Sequence, residues 1–591
     1  MSLSLAPRYL LVGLALLLGG ASSLLAAPVV NQVSLRGLQV GGTTTLTLNG
    51  NDLLSEARLI APFAIAKQEL LPGATTQQVQ LRITLAGDVR PGLFAVRLAS
   101  SQGISPPFML GVDALPQQAL TEQITALPLA MTGSLAGGQI IKASFVGQKG
   151  LPLVVDVEAQ RLGANFKPVV RLYNSRGQQV AWSAPQHLIG GDARLSLTLP
   201  ADDTYTIELH DLLYRAAGPG FFRLKVGALT YADFALPLAI TKGTTSSVRY
   251  ASTNTPAGLT TAVDAAALTI PTEHMPLAPP VALFSGAAPS VQISESAEAI
   301  ETAPAAGQRQ LLSNLPCAVS GTIASKGEED QYLVPVKPGQ KLRIAVTARR
   351  LGSLLDGVLV VRNAAGNELA RNDDQPGTED PGLEFTVPAG MEQLLLCVRD
   401  MEQRFGEAFV YRLAVNDAAA PDVVAAVNLD TLQIPAGGTL VVPVNVVRAN
   451  YAGPLRITAE NAVGNITLGG DEIPANATTT LLTLTAGGGQ PVHGVMNLVI
   501  RATDANVPLA RYVLTPESAA TRYQPALRRE LGLAVVAPGP ISIRWNASVE
   551  AEKEFLGATL PLALSITRDG RATGDVRLRL MSTQPMPKKK K

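Results

Sequence analysis

The chain has 591 residues, room for several domains at about 100–200 residues each. Hydrophobic residues make up 47% and charged residues only 16%, a balance that excludes global disorder. Lys+Arg (48) and Asp+Glu (47) nearly cancel, so the basic excess of a nucleic-acid binder is absent, while 53 glycines and 42 prolines disfavour long helices and call for many turns.

The N-terminus (residues 1–26) reads as a secretory signal. Arg8 precedes an apolar run from Tyr9 to Gly20, and small residues follow from Ala21 to Ala27. Pro28 disfavours a cut after Ala27, which places cleavage after Ala26; an uncleaved anchor is the alternative reading. No later stretch reaches ~18 uninterrupted apolar residues, so no transmembrane segment is expected in the mature chain. Its expected place is outside the cytoplasm: periplasm, cell surface or medium.

From residue 28 onward, period-two alternation replaces helical periodicity, the pattern of half-buried strands. In 28–113, the run Gly41-Gly42-Thr43-Thr44-Thr45-Leu46-Thr47-Leu48-Asn49-Gly50 reads as a glycine turn, a Thr-rich strand and an Asn-Gly turn. In 118–228, Leu153, Val155 and Val157 are expected to face a core, leaving Asp156 and Glu158 to face water. Tyr205, Ile207 and Leu209 repeat the pattern. A smaller β domain follows over 229–298, then a third sandwich over 310–416 and a fourth over 422–545. Linkers are expected at Leu115–Gln118, Gln292–Gln308 and Asn416–Pro421, where small and charged residues cluster without alternation.

The chain also repeats itself. Residues 151–227 align with 340–416 at an offset of 189. Arg161-Leu162-Gly163 matches Arg350-Leu351-Gly352, Leu153/Val155/Val157 matches Leu342/Ile344/Val346, Asp211 matches Asp400, and Phe222-Arg223-Leu224 matches Tyr411-Arg412-Leu413. A fainter repeat relates 438–457 to 558–578, so 546–591 reads as a partial sandwich with a basic tail, Lys588 to Lys591. The expected fold is all-β: a signal peptide, then a string of antiparallel β-sandwich domains, jelly-roll and immunoglobulin-like.

The duplicated unit resembles the bacterial pre-peptidase C-terminal domain. The likeness lies in Gly321-Thr322-Ile323, Asp330-Gln331-Tyr332, Ala348-Arg349-Arg350-Leu351-Gly352, Asn372-Asp373-Asp374, Val387-Pro388-Ala389-Gly390 and Tyr411-Arg412-Leu413, with a second, less complete set in 118–228. The Thr-rich strand of 28–113 resembles immunoglobulin-like domains of the IPT/TIG kind. The resemblance implies ancillary modules of secreted peptidases or surface proteins, some relatives binding fibrous protein or polysaccharide. It brings no catalytic residues.

Calcium is the one candidate cofactor. Asp373, Asp374, Glu379 and Asp380 cluster on one loop and could supply several of the six to eight oxygen ligands calcium takes; a solvated turn is the alternative. Asp330, with Glu328 and Glu329, is a second acidic turn. Cys317 and Cys397 could form a disulfide closing a loop of about 80 residues, worth ~4–5 kcal/mol on the chain-entropy model, or could stay as separate thiols. His210-Asp211 invites a dyad reading, but Arg399-Asp400 stands at the matching place, so Asp211 is expected to close a turn instead. Trp182 is a candidate for stacking on sugars or partners, with burial against the sandwich as the alternative.

Neither H-E-x-x-H, G-x-S-x-G, a P-loop nor C-x-x-C occurs in the sequence. The expected function is non-catalytic: extracellular or cell-surface binding, adhesion or spacing, with polysaccharide, cell wall or fibrous protein as partner. The alternative is the ancillary region of a secreted peptidase whose catalytic domain is absent from this chain.

Overall fold

The computed structural model describes residues 27–545, apart from 253, 269, 286, 303–308, 314, 519–520 and 522–523, together with 563–578 and 581. The signal segment, most of the partial repeat and the terminal lysines lie outside the described residues. Contacts divide the chain into two units, one running from Ala27 to Pro538. In the other, strand Ile541–Trp545 pairs antiparallel with Leu564–Arg568.

Strands dominate the described chain, and the named helical elements among the described residues are short 3-10 turns. Residues 29–113 form a four-stranded and a five-stranded sheet around Leu46, Leu48, Leu81 and Val96. Strand Thr43–Asn51 alternates as its sequence requires, but it runs through Gly50 rather than turning at Asn49-Gly50. Glycine is needed there for close approach: a Cβ at Gly50 would lie 1.8 Å from the Val29 carbonyl oxygen.

The duplication is visible in strand order. In the first copy one sheet runs Gln117–Ala119, Leu129–Ser134, Phe221–Gly227, Pro152–Glu158, Ala193–Thr198; the facing sheet runs Gln123–Ile124, Ile140–Gly147, Asp203–Asp211, Pro168–Tyr173, Gln179–Ser183. The second copy keeps both orders, beginning with Ala297–Ile300 in one sheet and Gln310–Leu311 in the other. Leu153, Val155 and Val157 point into the first core, and Leu342, Ile344 and Val346 into the second. The segment expected to be a linker at 292–308 therefore carries an edge strand. Ala297–Ile300 pairs in parallel with Cys317–Thr322, and Glu298 holds Arg412 at 2.5 Å. Likewise Gln117–Ala119 is an edge strand, not a linker.

Each copy carries a 3-10 turn at its Arg-Leu-Gly motif, closed by a glycine in the left-handed region, Gly163 (φ +93°) and Gly352 (φ +87°). A buried carboxylate clamps each turn. Asp192 accepts the backbone N–H groups of Gln160 and Arg161 and the Arg161 Nε. Asp380 accepts those of Ala348, Arg349 and Arg350 and the Arg350 Nε.

The outward side chains of strand Pro152–Glu158 do not face water. Asp156 and Glu158 are fully buried, because neighbouring modules cover that sheet face. Asp113, from the end of the first sandwich, accepts Arg223 Nη2 at 2.7 Å, and Arg223 Nη1 reaches Glu158 at 3.0 Å. Lys225 lies 2.6 Å from Glu158 and 2.8 Å from Asp156, while Arg161 holds Asp156 from the other side at 2.8 Å. Asp233 and Ser285 of the small β domain complete the network on Arg194 and Asp156. Burial opposes ionisation of Asp156, but Arg161, Lys225 and Arg194 outweigh it and hold the carboxyl well below the usual carboxylate range.

Residues 422–536 build a ten-stranded sheet wrapped around Ile434, Leu482, Leu498 and Leu533. This last module of the unit touches the first. Arg97, itself buried, donates to the Asp430 carbonyl and to Thr431 Oγ1 at 3.2 and 2.9 Å.

Candidate functional site

In the first copy, the sheet that holds Asp203–Asp211 turns its outer face to solvent. Register places Trp182, Arg171, Glu208 and Lys142 directly opposite one another on four adjacent strands. Opposed residues share a face, so these four form one row. Trp182 occupies the edge strand and is 59% exposed. Lys142 pairs with Glu208 at 2.7 Å, and Tyr173 stands two residues along from Arg171 on the same face.

The row on the other side contains His210, between Val169 and Ile140. Tyr214 lies flat on the His210 ring, centroids 4.4 Å apart and planes 7° from parallel. What aims Tyr214 is the turn before it. Asp211 accepts the backbone N–H groups of Lys167, Leu213 and Arg215, and burial, which would raise its pKa, is outweighed by these donors so that it is lowered. His210 Nδ1 approaches the Asp211 backbone carbonyl at 2.9 Å rather than the carboxylate, so this pair forms a turn and a shelf, not a dyad. Strands ~4.8 Å apart and same-face neighbours ~6.8 Å along a strand put Trp182 and the stacked shelf roughly 12 Å apart. The face thus carries two exposed aromatic platforms with charged and hydroxyl groups between them.

The second copy lacks this surface. Arg371, Val360, Cys397 and Gln331 stand where the first has Trp182, Arg171, Glu208 and Lys142, and Gln403 replaces Tyr214. Its equivalent face is a closed apolar cluster of Val358, Val360, Leu395 and Cys397.

That arrangement also bears on the cysteines. Cys317 points into the core between the sheets, whereas Cys397 lies on the opposite sheet and points away from that core. Both are free: their side chains diverge across a sheet, a geometry no disulfide spans. Burial pushes the Cys317 thiol up to about 11 and, helped by Glu329, the Cys397 thiol up to about 12.

The four candidate calcium ligands do not converge. Asp380 is spent on the Arg-Leu-Gly turn, Glu379 pairs with Arg349 at 3.2 Å, and Asp373 and Asp374 are exposed. Carboxylates do converge at Glu301, Glu328 and Asp330, with ligand oxygens all within 4.8 Å of one another. Glu301 is the member that sequence reading missed, because it arrives from the segment taken for a linker. Tyr332 and Tyr411 extend the group: the two hydroxyls lie 2.7 Å apart, and Tyr411 donates to Asp330 at 2.6 Å. The first copy has Ala143, Phe222 and Ile141 at these places.

Burial and then Glu301 push Asp330 up to about 8, so this acid keeps its proton at neutral pH. The folded pKa lies above the unfolded one, so the stabilisation is full below about pH 4 and is lost as pH rises through about 8. Wild type should therefore lose melting temperature relative to Asp330→Asn between about pH 5 and pH 9. A difference that stays flat across that range would refute the protonated pair. The groups facing Asp330 are Glu301, Glu328, Tyr332 and Tyr411.

No helix among the described residues is long and apolar enough to cross a membrane. The chain matches no family model and no curated protein. Solved structures similar to parts of it include the pre-peptidase C-terminal domain of a collagenase from Bacillus anthracis, at 14% identity over 20% of this chain and 100% of that one, TM-score 0.16. PliG of Aeromonas hydrophila, a periplasmic inhibitor of g-type lysozyme, matches at 17% identity over 19% and 97%, TM-score 0.15. SGBP-B of the Bacteroides ovatus mixed-linkage glucan utilization locus, solved with a mixed-linkage heptasaccharide, matches at 11% identity over 66% and 73%, TM-score 0.14.

Proposed function

We propose that this is an exported, non-catalytic modular protein that binds an extracellular polysaccharide on the outer sheet face of its first duplicated sandwich. One observation carries the reading: Trp182 stands more than half exposed in a row with Arg171, Glu208 and Lys142, beside the flat Tyr214–His210 shelf. A sugar ring offers a C–H face to an aromatic plane and hydroxyls to flanking polar groups, and this surface offers both partners. The separation of the two platforms suits an oligosaccharide and exceeds one monosaccharide. In this reading both copies are pre-peptidase C-terminal-like sandwiches, and the second, its face closed by aliphatic side chains, serves the frame rather than the ligand.

The test is retention of the purified chain on a panel of insoluble and immobilised polysaccharides. Trp182→Ala should weaken retention by about tenfold or more while leaving the melting temperature unchanged, since the side chain is exposed. Retention that survives both Trp182→Ala and Tyr214→Ala would remove this face as the binding site.

A further inference from the structure

We infer that the bound polymer is acidic, a uronate-bearing or sulfated polysaccharide, and that it runs from the Trp182 platform into the cleft between the two duplicated sandwiches. The inference rests on the preceding reading and specifies its ligand. The cleft has a volume of about 1340 Å³. Its lining includes Lys167, Ala184 and Leu212, which immediately adjoin the ends of three platform strands, Pro168–Tyr173, Gln179–Ser183 and Asp203–Asp211. A chain lying along Trp182 therefore meets the cleft two residues further on. The far wall belongs to the second copy, where His187 Nε2 contacts the Arg349 carbonyl at 3.1 Å across the junction.

Charge decides the ligand class. Five Lys and Arg side chains line the cleft against three carboxylates. Lys167 is exposed and has no ion pair among the described residues, and neither has Arg171 on the platform. Arg350, though its Nε rests on Asp380, keeps a side chain 59% exposed. Two further donors are buried and unsatisfied: Arg161 Nη1, and Arg349 Nε, which lies 3.2 Å from Glu379 but off the hydrogen-bond direction. Walls of protein focus such a positive field, and guanidinium groups pair with carboxylate and sulfate groups through geometry that hydroxyls do not match. Arg161, Arg349 and Arg350 already have carboxylate partners, but a neutral glycan would use the aromatic platforms and leave Lys167 and Arg171 without counter-charge.

The experiment compares matched polymers on the full chain: polygalacturonate against its methyl ester, and dextran sulfate against dextran, with a single-stranded oligonucleotide as a polyanion without sugar faces to stack. The acidic member of at least one pair should bind about tenfold tighter than its neutral partner and weaken as salt rises. Lys167→Glu, at an exposed position, should weaken acidic binding several-fold and leave the melting temperature unchanged. Trp182→Ala should weaken it too. Equal binding of neutral and acidic partners, or binding of neutral polymers alone, overturns this inference and leaves the platform standing. Oligonucleotide binding as tight as the best acidic glycan, indifferent to Trp182→Ala, overturns it as charge alone. Binding to no polysaccharide overturns both readings.

Discussion

Arg223→Met should destabilise the chain by about 3–5 kcal/mol, the scale for removing one partner of a buried charge network. The arginine is almost wholly enclosed and spreads its donors over Asp113, Glu158 and Gln117. Without it, Asp113 and Glu158 stay buried with one cation fewer. Burial raises the cost of the charged Glu158, and its pKa stays lowered because Lys225, Arg223 and Arg161 outweigh that cost. Denaturant unfolding at neutral pH measures the loss. Pairing the change with Asp113→Leu removes an anion along with the cation, so the double variant should recover much of the stability. A loss below about 1 kcal/mol for the single variant would show that the network is solvated and the modules are not locked there.

A second large effect is expected at the Arg-Leu-Gly clamps. Asp380→Ala removes the acceptor for three backbone N–H groups and one guanidinium, at about 2–4 kcal/mol, because buried donors lose their partner. Asp192→Ala should cost at least as much, since Arg161 is itself buried and would be stranded. Thermal melts of the two variants should shift in the same direction and by similar amounts. An Asp380→Ala protein that melts like wild type would return that carboxylate to the pool of free acids and reopen the loop as a cation site.

Those same residues show what can be read from sequence and what cannot. Alternation at Leu153, Val155 and Val157 named the inward side correctly, because a sandwich core demands it whatever surrounds the domain. The opposite side was misread at Asp156 and Glu158, because alternation tells which residues share a sheet face and nothing of what covers that face. Asp380 was taken for a free ligand for a narrower reason. Its counterpart Asp192 sits 188 positions away rather than 189, so a one-residue slip hid the pairing that identifies it as a clamp. Glu301 was invisible because edge strands held by a few backbone bonds and one ion pair need no hydrophobic alternation. Trp182 stood out as a residue type, but only the register shows its row-mates and its neighbouring shelf.

The reach of Arg97 to Asp430 and Thr431, across 334 positions, bears on how such a chain can change over generations. Beads on a thread can be duplicated, lost or exchanged without consulting one another. Here the first and last beads of the larger unit clasp, so any insertion or deletion between them must bring those two surfaces back to the same meeting point. A foreign module spliced in place of that last one would leave a buried guanidinium with the Ser105 carbonyl but without Asp430 and Thr431. Diversification is therefore cheapest on the open face of the first duplicated sandwich, where Trp182 and Tyr214 can be replaced without disturbing the clasp.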